Sequence, residues 1–267
     1  MSQSEQDVKD DVQDPQFHGN EWWELIKTGV IALLIAAVIR TILFEPFNIP
    51  SGSMKPNLLV GDYLFVSKFS YGYSQYSTPF GIIPIEGRVN AQPIERGDVA
   101  VFKLPSNNKT DYIKRVIGLP GDKIQVIRGR LYINGFRVPR ERVGEVESRK
   151  QIASYLNATV RMTEYVETLP NGVTYHIYEE SDQGPLDDTP VFTVPEGHYF
   201  MMGDNRDNSQ DSRVMQQVGF VPYKNFVGRA ERIFFSIGDG AQIWEIWRWP
   251  AAIRYDRLFQ SISGGKS

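Results

Sequence analysis

Two serines, Ser51 and Ser53, flank a glycine in a segment that prolines bound at positions 50 and 56. The prolines stiffen the chain, and glycine permits backbone conformations that other residues avoid. A rigid turn of this kind can present a serine hydroxyl as a nucleophile. The same residues are typical of a linker, which stays open as the alternative at this point.

A serine nucleophile needs a base, and the usual base is scarce in this sequence. Cysteine is absent, and the histidines are His18, His176 and His198, without the His-x-x-x-His spacing of a metal site. His18 lies in the tail, and His176 and His198 are expected to be surface or hydrogen-bonded residues. A buried lysine is the remaining candidate, because desolvation lowers its pKa and the neutral amine can accept the serine proton.

Lys114 is that candidate base, because apolar residues flank it on both sides. In a strand it shares one face with Tyr112 and Val116, whereas Arg115 lies on the other face. One of the two bases is therefore expected to point toward the apolar side of a sheet. An ordinary strand with outward charges is the alternative.

Residues 203–213 form a dense polar cluster that follows an apolar run. A solvated loop fits this composition. A calcium loop fits it as well, because Asp204, Asp207 and Asp211 offer oxygen ligands. The acids lack the spacing of an EF-hand loop, and we predict no metal and no cofactor.

The elements that must position these residues begin with an apolar run at 28–44, which follows an acidic stretch. The run is at the lower end of the length that crosses a hydrocarbon core of about 30 Å, and Arg40 can extend its side chain to the headgroups. We predict a disordered acidic tail at 1–25 and a transmembrane helix at 26–45. The acidic n-region disfavours a cleaved signal peptide, and the uniformly apolar circumference disfavours a buried soluble helix. The flanking positive charges do not settle the orientation.

Short alternating runs replace helical periodicity in the rest of the chain, as at 62–66, 98–102 and 123–127. Asn134 and Gly135 lie between two apolar runs, which predicts a β-hairpin. We predict a mostly β fold, with an antiparallel β domain at 46–125 and 197–267. An inserted β-rich subdomain is expected at 126–196.

Composition and charge exclude several classes of protein. Hydrophobic residues make up 41% of the chain, which is typical of a globular protein and not of a disordered or fibrous one. The 29 basic and 32 acidic residues give a net charge of −3. This balance gives no electrostatic reason to expect nucleic acid as a partner.

Taken together, the motifs resemble those of bacterial type I signal peptidases, the membrane-anchored Ser/Lys endopeptidases that remove signal peptides. The matching segments occur in the order of that family, at 49–58, 61–66, 97–102 with 112–122, and 202–213. The resemblance implies a signal-peptidase-like antiparallel β catalytic domain with an inserted second domain. It covers about residues 45–125 and 197–236, so the tail and the insert lie outside it.

The resemblance implies a role for each matching residue. Ser53 is expected to be the nucleophile and Lys114 the general base, with Ser51 and the Ser53 N–H forming the oxyanion hole. Ser209 is expected to orient Lys114, and Asp211 and Arg213 to support the site as an ion pair. The residues expected to line small substrate pockets, which favour alanine-like side chains, are Phe47, Ile49, Met54, Leu58, Val101, Tyr112 and Ile113.

The resemblance also implies partners and a location. The partners are the signal peptides of membrane-inserted preproteins and the lipid bilayer, without nucleic acid or metal. The location is the bacterial inner (cytoplasmic) membrane, with a single pass, a cytoplasmic N-terminus and the catalytic domain on the outer (periplasmic) face. Trp244, Trp247 and Trp249 could dip into the membrane interface, with core packing as the alternative.

Two departures from the family and two other functions bear on this interpretation. Asn57 stands where the family often has threonine, and the chain has room for one membrane helix where the best-known members have two.

A related Ser/Lys protease that matures a narrow set of substrates has the same motifs. A catalytically inactive, membrane-tethered scaffold is the other alternative, and the presence of Ser51, Ser53, Lys114 and Ser209 argues against it.

Overall fold

The computed structural model describes residues 20–77, 85, 87–153, 156–238, 240–241, 244–262 and 265–266. The chain divides into two compact units, residues 1–39 and residues 40–267. Most of the predicted acidic tail, up to residue 19, lies outside the described residues.

Helix α1 spans Asn20–Ile42. It differs from the predicted helix at both ends, since residues 20–25 are helical and residues 44 and 45 already lie in a strand. No strong helix breaker separates residues 20–25 from the apolar run, so the helix continues through them. Pro46 lies in an edge strand, where a missing N–H is tolerated.

Within the described residues, we find no helix that has both the length and the apolar character needed to span a membrane.

In the rest of the described chain most of the regular secondary structure is strand, as the sequence predicts. The strands are β1 (Phe44–Asn48), β2 (Asp62–Ser67), β3 (Tyr73–Ser74), β4 (Arg88–Val89), β5 (Val99–Lys103), β6 (Asp111–Gly118), β7 (Lys123–Ile127), β8 (Arg130–Ile133), β9 (Phe136–Arg137), β10 (Arg140–Ala153), β11 (Leu156–Thr168), β12 (Val173–Glu179), β13 (Phe192–Thr193), β14 (His198–Met202), β15 (Val221–Pro222), β16 (Phe226–Ser236) and β17 (Gly265–Lys266). The short helices are α2 (Trp249–Ala252) and the 3₁₀ turns Gln75–Ser77, Arg206–Asn208, Tyr223–Asn225, Ile246–Arg248 and Tyr255–Arg257.

The largest sheet carries the candidate lysine in one of its inner strands. Its strand order is β1-β2-β16-β5-β6-β14-β15, and the pairs along it are antiparallel. Strand β6, which contains Lys114, lies between β5 and β14. The loop between β1 and β2 contains Ser53.

Two further sheets contain most of the predicted insert. One has the order β13-β7-β8-β9, and the other has the order β10-β11-β12-β17. The predicted hairpin is confirmed: Ile133 pairs with Phe136 across Asn134 and Gly135, which both adopt the positive φ of a tight hairpin turn. The predicted strands at 62–66, 98–102 and 123–127 are confirmed as β2, β5 and β7 within one residue.

The hydrophobic core runs across the predicted boundaries of the insert. One buried cluster joins Ile117 of β6 and Phe200 of β14 to residues of the insert, which include Leu131, Ile177 and Phe192. A second cluster on the main sheet surrounds Phe102 and Phe226. The insert therefore packs on the strand pair β6 and β14, and this strand pair connects it to the candidate site.

Candidate active site

Ser53 lies on a turn that buried side chains anchor to the hydrophobic core. Met54 and Leu58 are fully buried in a core cluster, and the Leu58 N–H donates to the Met54 carbonyl at 2.9 Å. The turn is closed at its base, where the Ile49 N–H donates to the Asp62 carbonyl at 2.8 Å. Ser53 itself is buried, with 8% of its surface exposed. The segment at 50–56 is thus an anchored part of the domain and not a free linker.

Lys114 reaches this serine from strand β6. Its Nζ donates to Ser53 Oγ at 2.6 Å and to the Ile113 carbonyl at 3.0 Å, and 4% of the residue is exposed. Burial lowers the pKa of Lys114 from 10.5 to about 8, against the opposing effect of the Asp211 and Asp204 carboxylates. An amine with this pKa is partly neutral near pH 7. Such an amine, in contact with a hydroxyl, can remove its proton.

Both neighbouring bases of β6 are buried, whereas the sequence predicted this only for one of the two. Arg115 is 1% exposed and pairs with Asp204 at 2.7 Å on the opposite side of the strand from Lys114. Asp204 also accepts from the Asn57 amide at 2.7 Å, and the Arg115 guanidinium lies 4.2 Å from the centre of the Tyr175 ring. From Lys114 to Gly118 the strand is buried on both faces, so neither Lys114 nor Arg115 is an outward charge.

Ser51 Oγ lies 3.4 Å from Ser53 Oγ. The two hydroxyls and the lysine amine therefore occupy one small polar site. A carbonyl that Ser53 attacks would place its oxygen near donors of this kind, which is the requirement for stabilising an oxyanion.

The predicted polar cluster at 203–213 packs against the serine turn. The Asn205 N–H donates to the Ser53 carbonyl at 3.0 Å. Asp211 accepts from the Gly203 N–H at 3.0 Å and forms an ion pair with Arg213 at 2.9 Å. Burial opposes ionisation of Asp211, but the Arg213 guanidinium lowers the pKa of that carboxyl below its usual value. The loop thus keeps a fixed negative charge close to Lys114.

Ser209 is buried in the same loop, with 5% of its surface exposed. No hydrogen bond joins its hydroxyl to Lys114 among the described residues, and its interaction is with Asp211, whose pKa it helps to lower. Gly203 is required beside it, because a Cβ at that position would overlap the Ser209 side chain and lie 2.6 Å from the Ser53 carbonyl oxygen.

The three aspartates that suggested a calcium loop each have a different partner. Asp204 pairs with Arg115, Asp211 pairs with Arg213, and Asp207 accepts from the Glu180 N–H at 2.6 Å. In the part of the chain that the structure describes, no group of three acidic or histidine side chains lies close enough to hold a metal. The calcium interpretation is not supported by this geometry.

A cavity of about 380 Å³ opens in front of the serine and the lysine. Of the predicted pocket residues, Tyr112 and Ile113 line it. The other five lie nearby in two hydrophobic clusters, and their contribution to a substrate pocket stays a prediction: these are Phe47, Ile49, Met54, Leu58 and Val101. The cavity is lined by Pro50, Ser51, Ser53, Thr110, Asp111, Tyr112, Ile113, Lys114, Asn208 and Gln210.

The insert contributes to the site in a way that the sequence does not predict. Arg206 of the polar loop forms a buried ion pair with Glu167 of β11 at 2.5 Å and contacts the Tyr175 hydroxyl of β12 at 3.1 Å. The Tyr178 N–H donates to the Asp204 carbonyl at 2.9 Å. These contacts join residues up to 39 positions apart in the sequence, and no local pattern indicates them.

The described histidines, His176 and His198, have partners other than Ser53. His176 contacts Glu164 at 2.6 Å and His198 contacts the Glu196 carbonyl at 2.9 Å, and neither is bonded to Ser53. Of the three tryptophans near the C-terminus, one is packed on another ring and two are exposed. Trp249 packs on Phe235 with ring centres 5.1 Å apart, whereas Trp244 and Trp247 are 68% and 72% exposed.

Comparison with known proteins places the chain in a family. The sequence profile of the family described as signal peptidase, peptidase S26, matches residues 22–235. The chain belongs to this signal peptidase family. It is a serine endopeptidase of the class that processes signal peptides.

Several relatives are similar over most of their length. Signal peptidase I of Rickettsia akari (strain Hartford) is 42% identical over 91% of this chain and 92% of the relative. Signal peptidase I of Rickettsia typhi (strain ATCC VR-144 / Wilmington) is 43% identical over 86% of this chain and 90% of the relative. A crystal structure of a signal peptidase I from Enterococcus faecalis V583 matches at 26% identity, covering 52% of this chain and 97% of that chain, with a TM-score of 0.29.

Proposed function

We propose that this peptidase is membrane-anchored and cleaves the signal peptides of secreted preproteins after a small-x-small site, with Ser53 as nucleophile and Lys114 as neutral general base. The observation that carries the proposal is the 2.6 Å contact between Lys114 Nζ and Ser53 Oγ at a buried position. It is supported by the lowered pKa of Lys114, which burial brings to about 8.

In the proposed reaction, the neutral amine of Lys114 accepts the Ser53 proton while Oγ attacks the scissile carbonyl. The ammonium that forms then donates this proton to the leaving amine as the C–N bond breaks, which leaves an acyl-enzyme. A water molecule attacks the ester with Lys114 again as base. Ser53 then takes back its proton, and both groups return to their starting state.

In this proposal the Ser51 hydroxyl and the Ser53 N–H stabilise the oxyanion. Removal of one donor of this kind commonly lowers kcat by about 10²- to 10³-fold. The buried Ser209 hydroxyl interacts with Asp211, and its oxygen can still accept a hydrogen bond from the Lys114 ammonium in this proposal. The ion pair of Asp211 and Arg213 supports the loop that holds these groups.

The cavity in front of Ser53 supports the proposed substrate preference. Tyr112 and Ile113 line it beside the reacting groups, and its size is about 380 Å³. A cavity of this volume must hold several residues of an extended peptide. Only small side chains therefore fit next to the scissile bond, which favours alanine at the first and third positions before the cut.

The apolar run at 28–44 is proposed as the single membrane anchor, with the N-terminus in the cytoplasm and the catalytic domain on the periplasmic face of the inner membrane. Ser53 follows this run by nine residues, which span at most about 30 Å when extended. The nucleophile is thus confined near the surface where the cleavage site of a membrane-inserted preprotein emerges. The exposed Trp244 and Trp247 are suited to the lipid interface.

The proposal is tested by cleavage of a purified preprotein in detergent, with the cut site read by mass spectrometry. Wild type is expected to cut after a small-x-small triplet, and Ser53→Ala and Lys114→Ala are expected to abolish the cut. The matched controls are Ser106→Ala and Lys123→Ala, which change exposed residues of the same types and should cleave normally.

Cleavage by folded Ser53→Ala at the wild-type rate would overturn the mechanism. Wild-type cleavage that is limited to one or a few preproteins would instead favour the narrow-specificity protease. Complete absence of cleavage by folded wild-type protein would favour the scaffold.

A further inference from the structure

Asn205 makes two hydrogen bonds to the serine turn that the proposed mechanism does not use. Its main-chain N–H donates to the Ser53 carbonyl at 3.0 Å, and its side-chain Nδ2 donates to the Gly52 carbonyl at 3.0 Å. Asn205 is 5% exposed, so water competes little for these carbonyls. Asn205 therefore contacts the peptide groups on both sides of the Ser53 Cα, and the Lys55 N–H donates to the same Gly52 carbonyl at 3.2 Å.

Holding these carbonyls also fixes the direction of the Ser53 N–H. The Gly52 carbonyl and the Ser53 N–H belong to the same peptide group, which is planar, so in the trans form the N–H points opposite to the C=O. Because the carbonyl points toward Asn205, the N–H points away from it. The cavity wall includes Ser53 but not Asn205, which is consistent with an N–H directed toward the cavity.

The Asn205 amide is itself held in one orientation. Asn208 Nδ2 donates to Asn205 Oδ1 at 3.3 Å, which leaves Nδ2 of Asn205 as the group that faces Gly52. The main chain at this point is held by the insert, because the Tyr178 N–H donates to the Asp204 carbonyl at 2.9 Å. Asp204 is in turn fixed by its buried ion pair with Arg115.

We propose that Asn205 is a positioning residue that aims the Ser53 N–H at the oxyanion, and that the insert supports it through strand β12. This inference rests on the proposed function, since it requires Ser53 to be the nucleophile and its N–H an oxyanion donor. Asn205 makes no hydrogen bond to Lys114 among the described residues, so it acts on the oxyanion hole and not on the base.

The test compares Asn205→Ala with wild type in steady-state cleavage of a peptide substrate by the full-length enzyme in detergent. We expect kcat to fall about 10- to 100-fold, because a misaimed oxyanion donor loses part of the effect of a removed one. KM and the midpoint of the pH–rate profile should stay unchanged, since Tyr112, Ile113 and Lys114 keep their places. A peptide aldehyde, which forms a tetrahedral oxyanion-like adduct with a serine, should lose affinity by a similar factor.

The matched control is Asn225→Ala. Asn225 is also buried and also donates to a main-chain carbonyl, that of Lys103 at 2.9 Å, but it lies outside the site. This variant should lower the unfolding temperature and leave kcat of the folded enzyme and the aldehyde affinity unchanged.

Three outcomes would overturn the inference. The first is a wild-type kcat for folded Asn205→Ala. The second is a shifted pH midpoint, which would show that Asn205 acts through Lys114. The third is an equal loss of kcat in Asn225→Ala, which would show a general folding effect. Ser53→Ala in the same assay tests the proposed function separately, because activity of that variant would remove the premise whatever Asn205→Ala does.

Discussion

Replacing the buried lysine should stabilise the protein while it abolishes activity. In the unfolded chain a lysine has its usual pKa of 10.5, whereas burial lowers the pKa of Lys114 to about 8. Between these two values the unfolded state binds more protons than the folded state, so the stability of the wild type rises with pH in this range. Below pH 8 the folded protein bears the full cost of burying an ammonium group.

The size of this cost follows from the two pKa values. Relative to a permanently neutral side chain, Lys114 lowers the free energy of unfolding by about 3 kcal/mol at pH 7 and about 2 kcal/mol at pH 9. At pH 10.5 the cost falls below about 0.5 kcal/mol. Lys114→Met keeps a long unbranched side chain and removes the charge. It should raise the unfolding temperature at pH 7 by up to about 2–4 °C for each kcal/mol of this cost.

The assay is thermal unfolding of the full-length protein in detergent, at several pH values from 7 to 10.5, with Lys123→Met as the control at an exposed position. The stability gain of Lys114→Met should shrink steadily as pH rises, and the control should show no gain. A gain that is equal at all pH values would come from packing and not from ionisation. An absent gain at pH 7 would refute the lowered pKa and with it the supply of neutral base.

Three further predictions concern activity and the loop that supports the site. In wild type, kcat/KM should rise with pH to a midpoint near 8 and increase about tenfold between pH 7 and 9, because the neutral fraction of Lys114 grows. A midpoint near 6.5 in this pH–rate profile would indicate a histidine as the base instead. Gly203→Ala should reduce kcat by at least about tenfold in the peptide assay, because its Cβ would lie 2.6 Å from the Ser53 carbonyl oxygen and displace the turn; unchanged kcat would contradict this contact. Glu167→Gln should lower the free energy of unfolding by about 3–5 kcal/mol in a denaturant titration, since it leaves the buried Arg206 without its counter-charge; a change below about 1 kcal/mol would show that water or another group compensates.

Matched substitutions separate these effects from general damage. Gly144→Ala adds a Cβ that meets no atom within 4 Å and should leave kcat unchanged. Glu145→Gln removes a carboxylate that pairs with Arg142 at an exposed position, where an ion pair contributes little, so its stability should change by less than about 1 kcal/mol.

Several local features could be predicted because they depend on neighbours in the chain. Asn134 and Gly135 form the expected hairpin turn, since both tolerate the positive φ that it requires. The alternation at 123–127 gives strand β7, whose Ile124 and Val126 are buried in the core. The composition of residues 203–213 identifies them as a polar cluster, but it does not show which residues they bond to.

Other features could not be predicted because burial depends on which elements cover each face. Alternation along β6 separates Lys114 from Arg115 correctly, but it does not show that both faces are covered and both bases buried. The sequence does not distinguish the three tryptophans near the C-terminus from one another. In the structure, Trp249 packs on Phe235, whereas Trp244 and Trp247 are exposed.

The sequence by itself determined which side chains can react, since a serine in a proline-bounded turn and a lysine among apolar residues need no fold to be recognised as candidates. Only the tertiary structure decided that Lys114 Nζ lies 2.6 Å from Ser53 Oγ and that Asn205 holds the carbonyls of the serine turn. These contacts join positions 53, 114 and 205, which lie in the loop between β1 and β2, on β6 and just after β14, and all of these strands belong to one sheet. The lowered pKa of Lys114 has the same origin, because desolvation is a property of everything that surrounds a side chain and not of its neighbours in sequence.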